Sequence, residues 1–136
     1  YNTKQIKVFG GKQLRPNIHI KDMVNVYKTL LKSNVNKING QIFNVGYENL
    51  SVEDIALTVR NVIGQDINIK TVPSDDNRSY HISSKKIEEI LNFQANFTIK
   101  DAILDLKSAF DQKKLPNSLK DSKYFNIKKM QEVKLI

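Results

Sequence analysis

Residues 9–23 read FGGKQLRPNIHIKDM, and this segment is the most informative part of the sequence. A short apolar run ends in a glycine pair, Arg15 follows, and an alternating segment then leads into a helical pattern. Ligands of α/β folds commonly bind where strands end, and an arginine there offers a planar fork of donors that fits phosphate or carboxylate. Arg15 is therefore a candidate anion-binding residue, with a surface arginine beside a turn as the alternative.

The rest of the chain shows alternating strand and helix patterns. Strands are predicted at 6–9, 17–20, 41–45, 67–72 and briefly at 80–82, and a turn cluster at 73–77. Helices are predicted from Asp22 to about residue 34, from a Ser51 cap to a stop at Gly64, around 87–91, and from a Thr98 capping pattern to before Pro116. The order is too irregular to build a doubly wound sheet alone, so it predicts part of a larger α/β fold.

Composition restricts the class of protein. The chain has 136 residues, 40% of them hydrophobic, which suits one folded domain. It has no cysteine, which excludes disulfides and thiolate metal sites, and its two histidines, His19 and His81, are isolated, so no metal site is expected. No apolar run approaches about 18 residues and no leader pattern opens the chain, so we expect a cytoplasmic protein with no membrane partner. Because the first residue is Tyr1 and not Met, we expect the tail of a longer protein.

The formal charge of +8 favours an anionic ligand. The lysines are scattered over every predicted element, and no nucleic-acid-binding motif or platform of interleaved basic and aromatic residues is present. Nucleic acid is therefore not expected as a partner, and a basic protein acting on nucleic acid ranks last among the hypotheses.

Several short motifs follow one another in an order typical of one family. After GxQxRxxxHxxD at 11–22 come FNVG at 43–46, NRSY at 77–80, SKKI at 84–87, LNF at 91–93 and TIKDAI at 98–103. Together they resemble the C-terminal part of the extended short-chain dehydrogenase/reductase family, the NAD-dependent nucleotide-sugar epimerases and dehydratases. The resemblance covers nearly the whole chain.

The resemblance implies an α/β chain that is the C-terminal substrate-binding portion of a Rossmann-type fold whose N-terminal dinucleotide-binding part is absent. Residues 1–115 would form the substrate-binding region and 116–136 a basic, loosely docked tail. The parent enzyme would be a homodimer that oxidises a sugar hydroxyl with bound NAD and then epimerises or dehydrates the sugar. NAD would be held mainly by the missing part, and this chain would recognise the nucleotide-diphosphate sugar.

The resemblance also assigns roles to five residues. Arg15 would grip the diphosphate, and Phe9, at a strand end, would lie against the nucleobase, with a core aromatic as the alternative for Phe9. Asn44 would be a substrate position or a turn former. Asp76 would bind the ribose hydroxyls, and Arg78 would bind the phosphates or pair with the neighbouring aspartates. His19 and Asp22 match the family's H-x-x-D pair, but we interpret them as structural, with Asp22 as the helix cap and His19 as its buried neighbour.

Two departures limit what the chain can do. Pro73 stands where the family has a first arginine, which weakens the case for a two-arginine phosphate clamp. The glycine-rich dinucleotide motif is missing, and the one Tyr-x-x-x-Lys string, Tyr124 to Lys128, lies in the lysine-rich tail without a Ser/Thr partner. We therefore expect no catalytic, cofactor-binding or metal-binding residue here, and an isolated chain that is inert.

One alternative remains open at the level of sequence. The chain could be a stand-alone module that binds nucleotide-sugars or other phosphate ligands without catalysis. Such a module needs a self-sufficient core, and it would unfold cooperatively, whereas a fragment would be molten and prone to aggregation.

Overall fold

A computed structural model describes residues 1–76 and 78–135. Within them lie four strands, which are β1 (Gln5–Phe9), β2 (Leu14–Asn17), β3 (Glu48–Ser51) and β4 (Asn68–Val72). The helices of the same residues are α1 (Ile20–Lys32), α2 (Val35–Ile38), α3 (Val52–Ile63), α4 (Lys85–Leu91), α5 (Ile99–Asp111) and α6 (Asn126–Glu132), with a 3-10 turn at Ser122–Tyr124. The predicted mixed α/β pattern is confirmed.

The strands form two separate pairs. β1 and β4 run parallel, with Val8 opposite Thr71, and β2 and β3 run antiparallel, with Arg15 opposite Leu50. A parallel connection needs a long crossover, and α3 lies in the chain between β3 and β4. Two short pairs do not make a doubly wound sheet, as the irregular element order predicted.

Two helix starts follow directly from capping residues. The Ser51 hydroxyl accepts the backbone N–H of Asp54 at 3.0 Å and opens α3. Thr98 opens α5 through a reciprocal capping box in which Thr98 Oγ1 accepts from Asp101 N at 3.2 Å and Asp101 Oδ2 accepts from Thr98 N at 2.8 Å. Both starts are confirmed, as is the stop of α3 at Gly64.

The start of α1 differs from the prediction. His19 is the N-cap, because its Nδ1 accepts the backbone N–H of Lys21 at 3.1 Å, and Asp22 already lies inside the first turn. The prediction that Asp22 caps the helix is wrong, since its fully buried carboxylate instead accepts the backbone N–H groups of Asn96 and Phe97, both at 2.9 Å. The predicted burial of His19 is confirmed.

Two predicted strands are wrong and a third is displaced: in place of a strand at 17–20 the structure has β2 at Leu14–Asn17, and Ile20 begins α1. Residues 41–45 lie outside any strand in the described chain. Phe43 and Val45 pack against the buried cluster of Val26, Ile87 and Phe93, so their apolar character reflects burial and not strand pairing. Residues 80–82 are also irregular, because the Asn49 side-chain amide pairs with both backbone groups of Ile82, at 2.9 and 3.1 Å, in place of a strand partner.

The core is small. A buried cluster of Val26, Ile87 and Phe93 joins α1, α4 and the segment after α4. The apolar face of α4 that the sequence predicts is thereby confirmed at Ile87. No helix in residues 1–76 or 78–135 is long and apolar enough to cross a membrane.

The segment after α5 contains short helical elements but few tertiary bonds. The helix α5 ends at Asp111, before Pro116, and Ser118 accepts a hydrogen bond from the Asn2 side chain at 3.0 Å. The division at residue 115 stays a prediction, and the tail residue Ile136 and the turn residue Asn77 lie outside the described residues.

Candidate functional site

The end of β1 is a tight glycine turn. Gly10 and Gly11 have φ of +76° and +124°, a region in which residues with a Cβ are strained. The Gly10 N–H donates to Val72 O at 2.9 Å and so extends the β1–β4 pair by one bond. A Cβ at Gly10 would lie 2.8 Å from Gln13 Oε1. The turn therefore requires glycine at this position, and it places the following residues beside the open end of the strand.

Arg15 lies on β2 with its guanidinium held by three acceptors. Nη1 donates to Leu14 O at 2.9 Å and to Arg78 O at 2.5 Å, and Nη2 lies 3.4 Å from Asp76 Oδ2. The group also lies over the ring of Tyr80, with Cζ 5.3 Å from the ring centroid. Because a planar guanidinium fixed in this way cannot swing freely, Arg15 presents its charge at a defined place.

Asp76 and Arg78 form a bidentate ion pair. Arg78 Nε donates to Asp76 Oδ1 at 2.7 Å and Nη2 donates to Oδ2 at 2.9 Å, and the Arg78 backbone N–H donates to Oδ1 at 3.1 Å. These hydrogen bonds lower the pKa of Asp76 from 3.8 to about 2, and the charge of Arg15 acts in the same direction. Asp76 is therefore ionised at neutral pH, and of the two roles considered for Arg78 the structure shows the pairing with an aspartate.

Arg15, Asp76 and Arg78 thus meet, although more than 60 positions separate Arg15 from the others. Of the three, Asp76 lines an open cleft of about 400 Å³ together with Gly10, Lys12, Gln13 and Ser79, and the two arginines adjoin this cleft through their contacts to Asp76. Lys12, Gln13 and Ser79 were not among the predicted site residues. Lys12 and Gln13 lie inside the 9–23 segment, so their place beside Arg15 in the sequence could have identified them. Ser79 is brought to the cleft by a long-range contact, in which the Leu14 N–H donates to Ser79 Oγ at 2.9 Å.

Phe9 ends β1 and is 52% exposed, so it does not belong to the core that this chain forms by itself. Lys7 Nζ lies 4.8 Å from the centroid of its ring. The exposed ring at a strand end is available to a planar ligand group. A nucleobase contact for Phe9 stays a prediction.

Asn44 is not part of this group. Its neighbours Phe43 and Val45 pack against the core cluster while Asn44 itself is exposed in the irregular segment before Gly46. In the described chain, none of the bonds that join Arg15, Asp76 and Arg78 involves Asn44. Its assignment as a substrate residue stays a prediction.

His19 and Asp22 form part of the protein framework. The His19 ring packs against Phe97, with centroids 4.9 Å apart, and its Nε2 lies 3.4 Å from Asp105 Oδ2. With Nδ1 occupied as the helix cap and Asp22 bound to a distant loop, both side chains have structural roles.

The chain's own glycines do not fit a dinucleotide pyrophosphate. That ligand binds where a strand turns through glycines directly into a helix N-terminus. In the described residues the turn at Gly10 and Gly11 leads instead into β2. Lys128, the lysine of the tail's Tyr-x-x-x-Lys string, lies with Nζ 4.6 Å from the ring centroid of Phe125.

Comparison with known proteins agrees with these observations. Residues 1–46 match the NAD dependent epimerase/dehydratase family. The chain is 30% identical over 99 residues to CDP-paratose 2-epimerase of Salmonella typhi, a match that covers 69% of this chain and 29% of that protein.

Solved structures share the fold. L-threonine dehydrogenase from Phytophthora infestans superposes with a TM-score of 0.71 at 13% sequence identity. The match covers 82% of this chain and 38% of the dehydrogenase chain. UDP-glucuronic acid 4-epimerase from Bacillus cereus, solved with UDP-glucuronic acid and NAD, gives 0.69 at 20% identity, with 79% and 35% covered. The chain thus spans about a third of the length of these relatives.

The resemblance inferred from the motifs is confirmed: the chain is a relative of the NAD-dependent epimerases and dehydratases. It has the mixed α/β structure of a part of the extended short-chain dehydrogenase/reductase fold. Dependence on NAD is a property of the matched family.

Proposed function

We propose that this chain is the nucleotide-sugar-binding part of an NAD-dependent epimerase or dehydratase and that its cleft binds the diphosphate. In this proposal Arg15 binds the phosphates, Phe9 lies against the nucleobase and Asp76 faces the ribose. NAD and the groups that oxidise the sugar hydroxyl would belong to the remainder of a longer protein, so the isolated chain would be catalytically inert. A cytoplasmic, homodimeric parent enzyme is part of the same proposal.

The observation that carries the proposal is the fixed guanidinium of Arg15. Two carbonyl oxygens hold Nη1, so the orientation of the group is set before any ligand arrives. A pre-oriented fork loses less freedom on binding a phosphate than a mobile lysine does. Arg15 Nη2 lies 3.4 Å from the Asp76 carboxylate, and this contact supports the proposal that the guanidinium can bind a phosphate oxygen.

The charges around the cleft support a ligand of two phosphates. Arg15 and Arg78 both contact the carboxylate of the cleft residue Asp76, and Lys12 lines the same cleft. The net charge of +8 adds a long-range attraction for anions. A nucleoside diphosphate complements this balance better than a neutral nucleoside.

The exposed apolar face of α1 supports the interpretation of this chain as part of a longer enzyme and not as a stand-alone module. Ile20, Val24, Tyr27 and Leu31 recur at helical spacing and are exposed, Leu31 to 88%. Such a stripe is typical of a surface that another part of a protein covers.

The proposal is tested by titrating the isotope-labelled chain with UDP or CDP and following backbone amide shifts. We expect shifts concentrated at residues 9–15 and 78–80 with either diphosphate, and much smaller ones with uridine or cytidine. If neither diphosphate shifts these amides, or if the nucleosides shift them equally, the proposed binding of a nucleoside diphosphate is wrong.

A further inference from the structure

The Gln13 side chain closes the loop between the two proposed subsites. Its Oε1 accepts the Gly11 N–H at 2.6 Å, and its Nε2 donates to Phe9 O at 2.6 Å. The side-chain amide of Gln13 therefore bonds the backbone of Phe9 and of Gly11, on either side of Gly10 in the turn. Its orientation is defined, because only the amide nitrogen can donate to a carbonyl oxygen and only the amide oxygen can accept an N–H.

The loop needs such a restraint. Gly10 and Gly11 adopt positive φ, and glycine loses more conformational freedom on ordering than any other residue. The backbone of the loop is also tied at its far side, where Glu53 N donates to Gly11 O at 2.9 Å and Val52 N donates to Gln13 O at 3.2 Å. These bonds attach the loop to the start of α3, and the Gln13 amide attaches it to the end of β1.

The loop lies between the two residues that the proposed function uses most. Phe9 is its first residue, Arg15 comes two positions after Gln13, and the intervening residues Gly10, Lys12 and Gln13 line the cleft. A ligand that contacts both Phe9 and Arg15 bridges this loop. Its affinity therefore depends on how firmly the loop fixes the separation of the two residues.

We propose that Gln13 is a positioning residue that couples the nucleobase subsite at Phe9 to the phosphate subsite at Arg15. It does so through its two backbone hydrogen bonds, which fix the separation of the two subsites. This inference rests on the proposed function and adds to it a determinant of how the two ends of one ligand are bound together.

The test compares ligands that use one subsite or both. Gln13→Met keeps the length of the side chain and removes both hydrogen bonds, and Gln65→Met is the matched control, since Gln65 bonds only to Asn61 on the exposed end of α3 in the described structure. Calorimetric titration of the full 136-residue chain uses UDP, CDP and inorganic pyrophosphate. We expect Gln13→Met to lower the affinity for the better-bound nucleoside diphosphate by about 10-fold, which corresponds to the loss of one net hydrogen bond or slightly more. The affinity for pyrophosphate should fall by less than about 2-fold.

The outcomes separate the inference from the function beneath it. A merely structural role would weaken both ligand types equally and lower the melting temperature, and that result would overturn the inference. Unchanged affinity for both would overturn it too. If the wild-type chain binds no nucleoside diphosphate at all, the proposed function fails first and the inference with it. Faster hydrogen exchange of the Gly11 amide in Gln13→Met, but not in Gln65→Met, is the expected structural signature.

Discussion

Arg78 holds both carboxylate oxygens of Asp76, with Nε 2.7 Å from Oδ1 and Nη2 2.9 Å from Oδ2. Arg15 approaches the same carboxylate from β2, with Nη2 3.4 Å from Oδ2. Asp76 therefore links two arginines from distant parts of the chain, and in the proposed function an anion has to compete with it for both. Two predictions concern this carboxylate directly.

The first concerns the protonation of Asp76. Its pKa is lowered to about 2, chiefly by the hydrogen bonds from Arg78. A lowered carboxyl pKa means that the ion pair is fully present above the ordinary value near 3.8 and is lost as the pH falls through about 2. We expect carboxyl carbon NMR to give this midpoint in the wild type and a higher one in Arg78→Ala, which loses the side-chain bonds but keeps the backbone N–H bond and the charge of Arg15. An unchanged midpoint in Arg78→Ala would contradict the assigned cause.

The second concerns competition for the arginines. We expect Asp76→Asn to raise the affinity for pyrophosphate by up to about 5-fold, because the variant removes the carboxylate that pairs with Arg15 and Arg78. The gain is modest because solvent-exposed ion pairs are weak. Asp75→Asn is the control, since it removes the same charge one residue away. Calorimetry in low salt measures both. Equal gains in the two variants would show a general charge effect and no competition by Asp76.

Stability is predicted to depend on Asp22, far from the cleft. Its buried carboxylate accepts two backbone N–H groups at 2.9 Å, so Asp22→Ala leaves both donors unpaired. Removing bonds to a charged acceptor is expected to lower the free energy of unfolding by about 3 kcal/mol. Urea denaturation measures the change, and Asn25→Ala on the exposed side of α1 should change it by less than about 0.5 kcal/mol. A similar loss in both variants would contradict this role for Asp22.

The apolar stripe on α1 makes a prediction about the isolated chain. We expect concentration-dependent self-association in sedimentation velocity, since Ile20 is 70% and Leu31 88% exposed. The double variant Ile20→Lys, Leu31→Lys should reduce it, whereas Asn25→Lys, Asn36→Lys, with the same added charge, should not. A wild-type chain that stays monomeric would favour the stand-alone binding module.

Local signals predicted α1, α3, α4 and α5, but not the short helices α2 and α6. Ser51 and Thr98 each bond a backbone N–H three residues on, and such caps are readable from sequence because the interaction lies within one turn. The strands were harder to predict. β3 is the polar sequence ENLS and exists because it pairs with β2, whereas the apolar residues 41–45 look like a strand and pack against the core without one.

Long-range contacts explain the remaining differences at the site. The motif order placed Arg15, Asp76 and Arg78 in one group, and the structure brings them together. No local pattern shows that Asp22 binds the backbone of Asn96 and Phe97, more than 70 residues away. Asp22 therefore looked like a helix cap, the commonest use of an aspartate at that position.

The central claim, that Arg15 binds the diphosphate of a nucleotide, is tested most directly by comparing Arg15→Lys with the wild type in calorimetric titrations with UDP and CDP. Lysine keeps the charge but not the planar fork, so we expect affinity to fall by about 10-fold. Arg60→Lys on α3, which makes no bond to Asp76 or Arg78 in the described residues, should stay within about 2-fold of the wild type. Equal binding by Arg15→Lys and the wild type, or a wild type that binds UDP no better than uridine and CDP no better than cytidine, would contradict the account.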